Sequence, residues 1–296
     1  MGAEMKRVLK LIGAIVALAV VAAAATLLWA WKVTDQALAR RHATPSIDIA
    51  QEVRNAPIGA GERIVRVRNG CPDCHGKDLG GARVVDDPIV GKVYAPNLTP
   101  AGLGKWSDAE IAAAIRTGLR RDGRPLVIMP AHEYQHLARD DLAALIAYLR
   151  SVPAVERSTP PVEVGPLPRL LYALGKFPTL LPAETIDPSR GFDEKPHEAP
   201  TAAFGRYLAS ASCSGCHGSE FRGGPIAGAP PEWAAAAPIR LGADGRWNLD
   251  GFVRTMREGR SALDGHALRA PMPVSVYRKM NDVELAALWN FLSTLR

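Results

Sequence analysis

The run Cys71-Pro72-Asp73-Cys74-His75 returns in the second half of the chain as Cys213-Ser214-Gly215-Cys216-His217, and the two runs hold all 4 cysteines of the 296-residue chain. In a C-x-x-C-H run the thiols at i and i+3 share one face of a helical turn, and the histidine at i+4 projects beside them. Two thiols so placed can form thioether bonds to the two vinyl groups of one porphyrin while the imidazole gives a nitrogen to the iron. This is the attachment signature of c-type haem. A C-x-x-C pair also suits a redox dithiol or half of a zinc site. A dithiol needs no adjacent histidine, however, and a shared four-cysteine zinc site would join runs from opposite halves of the chain and leave both histidines without a role. The sequence therefore predicts two covalently bound haem c groups, attached through Cys71 and Cys74 and through Cys213 and Cys216, with His75 and His217 as proximal iron ligands.

The sixth ligand decides the chemistry, because an open position allows catalysis or gas binding and a closed one suits electron transfer. Met129 and Met272 follow His75 and His217 at almost the same spacing, each directly before a proline. A thioether is soft and neutral, stabilises Fe(II) over Fe(III) and raises the potential relative to a second histidine. Met129 and Met272 are the expected axial ligands. Their competitors are His132 and His136 in the first half and Met256, His266 and Met280 in the second, with Met256 expected in the core. A metal-bound histidine donates its other ring N–H to a carbonyl or carboxylate. The Gly- and Pro-rich loops after the motifs, Gly80 to Gly91 and Gly223 to Pro231, are the expected source of that carbonyl. Tyr134, Tyr277, Trp106 and Trp247 are expected to pack at the haem edge and core, with propionate contact as the alternative. Arg124 is a candidate propionate partner. His42 and His197 fall outside both halves of the repeat and are expected to be exposed.

The elements that must position these residues occur twice. Ala95-Pro96 through Trp106 pairs with Ala237-Pro238 through Trp247, Asp122-Gly123 with Asp264-Gly265, Met129-Pro130 with Met272-Pro273, Tyr134 with Tyr277, and Leu142-Ala143-Ala144-Leu145 with Leu285-Ala286-Ala287-Leu288, all at a nearly constant offset. The chain is a tandem duplication of one haem-binding unit of about 95 residues. Each unit reads as helical. A helix precedes each motif, over Glu62 to Asn69 and over Ala202 to Ser210 with Thr201 as N-cap. A middle helix follows Trp106, opened by the capping box Ser107/Glu110 and closed by Gly118. A last helix starts near Asp140 and near Asn281, with apolar residues at helical spacing (Leu142, Leu145, Ile146, Leu149; Leu285, Leu288, Trp289, Leu292). Neither unit shows sustained alternation. The expected fold is all-α: a tandem pair of units with an N-terminal transmembrane helix.

Between the units, residues 153–200 contain ten prolines and read as a semi-extended linker. Its middle, Arg169 to Leu181, is apolar enough to pack as a strap on a domain, with the membrane or a partner subunit as the alternative surface. Residues Leu11 to Trp31 form an uncharged run, long enough to span about 30 Å of hydrocarbon. Lys6, Arg7 and Lys10 precede them, which favours a cytoplasmic N-terminus. A retained anchor is expected, with a signal peptide cleaved near Ala22-Ala25 as the alternative. The expected division is residues 1–45 as anchor and flank, 46–155 as the first haem unit, 156–199 as the linker and 200–296 as the second haem unit. Of the net charge of +6, residues 1–45 carry +4, and no basic stripe with interleaved aromatics appears. Nucleic acid is therefore not an expected partner.

This order of parts resembles the class I cytochrome c fold: a helix into C-x-x-C-H, a loop, a middle helix, a Met loop and a terminal helix. The wording of Gly61-Glu62-Arg63, Asn97-Leu98-Thr99-Pro100, Gly102 to Asp108, Met129-Pro130 and Ala147 to Pro153 is similar to the cytochrome c subunits of membrane-bound alcohol, aldehyde and sugar-acid dehydrogenases. The second unit departs from it, with Ile239-Arg240-Leu241-Gly242 where Asn97-Leu98-Thr99-Pro100 would stand. The resemblance implies a dihaem electron carrier of the bacterial inner membrane, with its haem units in the periplasm. The implied redox partners are a dehydrogenase or quinol-oxidising complex on one side and an oxidase or soluble cytochrome on the other. The alternatives are a dihaem peroxidase, which needs an iron with a displaceable sixth ligand, and a haem subunit of a respiratory oxidase complex.

Overall fold

The structure, a computed structural model, describes residues 2–226, 229, 233–243 and 245–296. Helix α1 (Gly2–Ala39) runs unbroken for 38 residues, about 57 Å at 1.5 Å per residue. Its most apolar stretch has a mean hydropathy of 2.7 and none of it is buried, so the helix is long and apolar enough to cross a membrane. Near its C-terminal end Ala30, Thr34 and Ala37, one face at helical spacing, become buried.

The first unit follows as α2 (Ala50–Asn55), α3 (Ile58–Arg63) continued by a π turn (Ile64–Arg68), α4 (Cys71–His75), β1 (Ala82–Asp87), β2 (Gly91–Ala95), α5 (Pro100–Leu103), α6 (Asp108–Thr117), α7 (Ala131–Tyr134) and α8 (Arg139–Ser151). The linker holds β3 (Glu163–Val164), α9 (Pro166–Ala173) and two short 3-10 turns (Pro178–Leu180, Pro182–Glu184). The second unit comprises α10 (Ala202–Ser212), α11 (Ser214–His217), α12 (Leu249–Glu258), α13 (Val274–Tyr277) and α14 (Asp282–Leu292).

Helix ends fall where local chemistry sets them. Ser107 and Glu110 form the capping box of α6, and Gly118 closes it at φ 67°. Thr201 caps α10 through the Phe204 N–H, and Asn281 with Glu284 forms a capping box on α14. In each unit the helix before the haem motif crosses the terminal helix at a glycine. A Cβ on Gly61 would overlap the carbonyl of Ala144, and a Cβ on Gly205 would overlap that of Ala287. Each crossing is the spine of its core: Ile64, Val65, Leu142, Leu145 and Ile146 in the first, Phe204, Leu208, Leu285, Leu288 and Phe291 in the second.

The molecule is helix-rich but not all-α. Strands β1, β2 and β3 form an antiparallel sheet in that order, with Ala82 opposite Ala95, Asp87 opposite Gly91 and Gly91 opposite Val164. The hairpin closes because the Asp87 carboxylate accepts the N–H groups of Ile89 and Val90 and Gly91 adopts φ 111°, a region open to glycine. No residue of β1 is buried, so the sequence carries no alternating pattern there. Among the described residues the second unit has no named strand; its loop Gly223 to Pro231 lies partly outside them.

The linker is more folded than its prolines suggest. Helix α9 lies against α1: Arg169 stacks on the Trp31 ring at 4.5 Å and pairs with Asp35 at 2.6 Å. Phe177, Leu180 and Leu181 close a small core with Ala37. Further on, the Arg116 guanidinium donates to the carbonyls of Gln135, Arg190 and Gly191 and stacks on Phe192 at 4.0 Å. The linker is thus a strap over the first unit and the end of α1.

Candidate haem centres

Gly70, at φ 58°, lets the chain turn from the π turn into Cys71. After each histidine a left-handed glycine, Gly76 at φ 81° and Gly218 at φ 76°, ends the motif helix. The following turn is the same in both units. Gly81 N–H bonds the His75 carbonyl and Gly223 N–H that of His217, both at 2.9 Å. Leu79 and Phe221 sit in the left-handed region at φ 59° and 55° with their side chains buried. Such backbone costs a non-glycine residue about 1–2 kcal/mol, and burial of the large side chain offsets it.

These turns deliver a carbonyl to each histidine. Leu98 N–H bonds the Leu79 carbonyl at 2.8 Å, and Ile239 N–H bonds that of Phe221 at 3.0 Å. The Ala-Pro segments are thereby held beside the motifs. His75 Nδ1 lies 2.8 Å from the Pro96 carbonyl and His217 Nδ1 lies 2.7 Å from that of Ala237. The carbonyls come from the repeated Ala-Pro segments, at Pro96 and Ala237, rather than from the Gly- and Pro-rich loops. An Nδ1–H donated to a carbonyl leaves Nε2 with its lone pair, the form that ligates a metal. Burial lowers the pKa of both histidines, against the carbonyl contact, and favours this neutral form.

The four cysteines are free. Burial pushes the Cys71 and Cys213 thiols up to about 12, opposite to the lowered pKa of a redox dithiol. Among the described residues no cluster of three or more His, Cys, Asp or Glu is placed to hold a metal ion. The donor set, two thiols and one Nδ1-anchored imidazole at each motif, fits a covalently attached porphyrin.

Met129 and Cys71 both pack at the edge of the first core together with Trp106, and Met272 and Cys213 at the edge of the second with Trp247. Each Met-Pro opens a short helix, α7 or α13, whose tyrosine ties it to its own motif. Tyr134 Oη donates to the Asn69 carbonyl at 3.3 Å, and Tyr277 Oη donates to that of Ser212. Both hydroxyls therefore serve the backbone ahead of the motif. Of the competing ligands, His136 is bonded to Asp193 at 3.0 Å, His266 is exposed beside Asp264, and Met280 is buried in the second core. Met256 packs against that core. His132 Nδ1 is buried with no hydrogen-bond partner. Arg124 is paired with Asp122 rather than free for a propionate. His197 is exposed, whereas His42 is half-buried, with its N–H bonded to the Gly123 carbonyl.

The two units pack about a pseudo-twofold relation that the sequence did not reveal. The helix before each motif meets the start of the other unit's terminal helix. Arg63 Nε donates to Glu284 at 3.0 Å and Arg68 Nε to the same carboxylate at 2.8 Å. The Tyr207 hydroxyl, at the position matching Arg63, donates to Asp141 at 2.7 Å. Arg68 is 4 % exposed. Burial opposes its charge, but Glu284, Glu198 and Asp141 outweigh burial and raise its pKa. At the centre of this contact each unit's Met-loop helix touches the other unit's haem region: Glu133 of α7 lies on Gly215, and Val276 of α13 faces Gly70.

Comparison with known proteins agrees with two haem-binding units in tandem. A family model described as cytochrome c oxidase, cbb3-type, subunit III matches residues 56–149, and one described as cytochrome c matches residues 202–296. The cytochrome c subunit of alcohol dehydrogenase (quinone) from Gluconobacter oxydans is 28% identical over 240 residues, 71% of this chain and 48% of that protein. The fructose dehydrogenase cytochrome subunit from Gluconobacter japonicus is 37% identical over 75 residues, 23% of this chain and 15% of that protein. A diheme c-type cytochrome from Cereibacter sphaeroides is 29% identical over 119 residues, 36% of this chain and 39% of that protein. The chain thus spans about half the length of the alcohol dehydrogenase subunit, and its matches cover less of the other two. The chain carries two cytochrome c domains in tandem, each for one covalently bound haem c, and is homologous to the cytochrome c subunits of quinone alcohol dehydrogenase and fructose dehydrogenase.

Proposed function

We propose that this dihaem cytochrome relays single electrons in the bacterial periplasm, anchored to the inner membrane by α1. His75 and Met129 ligate the first iron, and His217 and Met272 the second. When bound, the haem iron supplies a one-electron couple; the polypeptide fixes its ligands, burial and hydrogen bonding. The electron donor is a dehydrogenase or a quinol-oxidising complex and the acceptor an oxidase or a soluble cytochrome, through small transient contacts.

The observation that carries the reading is the repeated ligand geometry: an imidazole fixed through Nδ1 to a backbone carbonyl, and a Met-Pro held at the same core edge, twice. The docking of α9 on the end of α1 supports an anchor that holds the haem domains close to the bilayer. Spectroscopy tests the ligand set. A haem assay returns two covalent haems per chain, and the ferric protein shows the weak red-edge band of an iron–methionine bond. Met129→Ala and Met272→Ala each remove part of that band and lower one potential. Ready carbon monoxide binding by the native protein, or turnover of peroxide, would sink the carrier reading in favour of a peroxidase.

A further inference from the structure

The pseudo-twofold contact is chemically unequal at its centre. Against the first haem motif the second domain presents Val276, whose methyl groups lie 3.5 Å from where a Gly70 Cβ would stand. Against the second motif the first domain presents the carboxyl group of Glu133, in the space that a Cβ on Gly215 would occupy. Gly215 is helical, so glycine is needed there for room rather than for backbone freedom. The first motif carries Asp73 at the matching position, an exposed side chain whose carboxyl is faced by Lys279.

Among the described residues Glu133 forms no ion pair. Its own helix contributes His132 and Tyr134, with His136 just beyond it acting on His132; α11 contributes Cys216 and His217, with Cys213 at its start, and α13 contributes Tyr277. Burial and the Gly215 N–H are what act on the Glu133 carboxyl itself, and no cation is among them. The charged groups on the other elements packed against α7 are engaged elsewhere. Arg116 of α6 is bonded to backbone carbonyls, and Glu184 of the second 3-10 turn pairs with Arg40. In α10, Tyr207 is bonded to Asp141 and Arg206 lies over the Phe291 ring.

An unpaired carboxylate in a low-dielectric contact interacts strongly with any charge that changes nearby. A haem c at the second motif would be attached through Cys213 and Cys216, which flank the Gly215 on which Glu133 sits. We propose that Glu133 couples reduction of the second haem to uptake of a proton across the domain interface. The inference rests on a haem c at the second motif. One electron from the donor reduces the second iron from Fe(III) to Fe(II), and the Glu133 carboxylate takes one proton from water to become the acid; oxidation reverses both. Burial pushes the Glu133 carboxyl up to about 7, with the Gly215 N–H acting in the other direction, so the exchange falls in the neutral range.

Potentiometric titration of the full-length protein at several pH values is the test. Met272→His lowers the potential of its own haem and so identifies the second haem's wave. In the wild type that wave falls with rising pH across neutrality, with a slope of at most a tenfold change in the reduction equilibrium per pH unit, about 59 mV for one electron. Glu133→Gln flattens the slope and raises the potential above neutral pH, and Glu133→Val, which copies the other half, does the same. A purely structural role for Glu133 would leave the slope in place. A flat wild-type wave, or an unchanged slope in Glu133→Gln with both haems attached, overturns the inference alone. Fewer than two haems in the wild type overturns the underlying dihaem reading and the inference with it.

Discussion

A carboxyl group folded into a domain interface holds its proton to a higher pH than the same group in the unfolded chain. For Glu133 burial raises the value from 4.5 to about 7. Between those two values the folded state binds more protons than the unfolded state, so stability falls as pH rises through the window. The linkage is worth about 3 kcal/mol at full extent. Glu133→Gln is therefore expected to be more stable relative to wild type at pH 8 than at pH 5, by that order, in denaturant unfolding of the haem-loaded protein. An equal difference at the two pH values would remove Glu133 as the source. The opposite sign applies to Glu198, whose pKa is lowered in the fold because Arg68 and Lys195 outweigh burial, so its stabilisation disappears as pH falls. The cysteines and histidines were legible because their spacing is itself the chemistry. Glu133 was not: nothing local distinguishes it from the exposed acids, and only the approach of Gly215 gives it a role. Nor do Leu79 and Phe221 announce a left-handed backbone, since their side chains read as ordinary core.

At the scale of elements, the helix pairs α3–α8 and α10–α14 depend on one atom being absent. Gly61 and Gly205 let the helix backbones approach until a Cβ would meet a carbonyl oxygen of the partner helix. Neither glycine needs a positive φ, so substitution acts through packing. A backbone carbonyl in mid-helix cannot swing away as a side-chain tip can. Gly61→Ala and Gly205→Ala are each expected to destabilise by about 1–3 kcal/mol through overpacking, despite the helix propensity of about 1 kcal/mol that alanine adds. A rise in unfolding midpoint on either change would show that the helices separate without cost. Helix ends were readable because capping boxes and left-handed glycines act locally, at Ser107, Gly118, Thr201 and Asn281. The strands were not. In β1 no residue is buried, and β2 pairs with a β3 that arrives only after α8, a long-range partnership that local pattern does not encode.

The whole molecule is held by contacts between residues far apart in the chain, and here the duplicated sequence is informative in an indirect way. The repeat predicts two matching units that differ in wording, as at Asn97-Leu98-Thr99-Pro100 against Ile239-Arg240-Leu241-Gly242; the structure sets them face to face, so that aligned positions acquire different partners. Arg63 and Tyr207 match in the two copies, yet one binds Glu284 and the other Asp141. Arg68 has no basic counterpart in the second copy and serves both sides, meeting Glu284 at 2.8 Å, Glu198 at 3.1 Å and Asp141 at 3.5 Å. Removing it leaves Glu284, 1 % exposed, with Arg63 alone, and leaves Asp141 with Lys195 and Tyr207. Breaking a buried ion pair from one side costs about 3–5 kcal/mol because the remaining charge stays desolvated. The surviving partners place Arg68→Ala at the lower end of that range, about 3 kcal/mol. This loss falls on the interface, where the guanidinium meets carboxylates of both domains and lies over the Phe204 ring of the second at 5.4 Å. Unfolding of Arg68→Ala is therefore expected to separate into two transitions, one per domain, where a single coupled transition is expected of the wild type. Electron exchange between the two haems slows in the same variant, because the contact that brings α7 against α11 and α13 against the first motif is loosened, while the separate potentials of a domain with intact ligands stay close to their wild-type values. A variant that loses stability in a single transition, with electron exchange unchanged, would place the role of Arg68 inside the first domain instead.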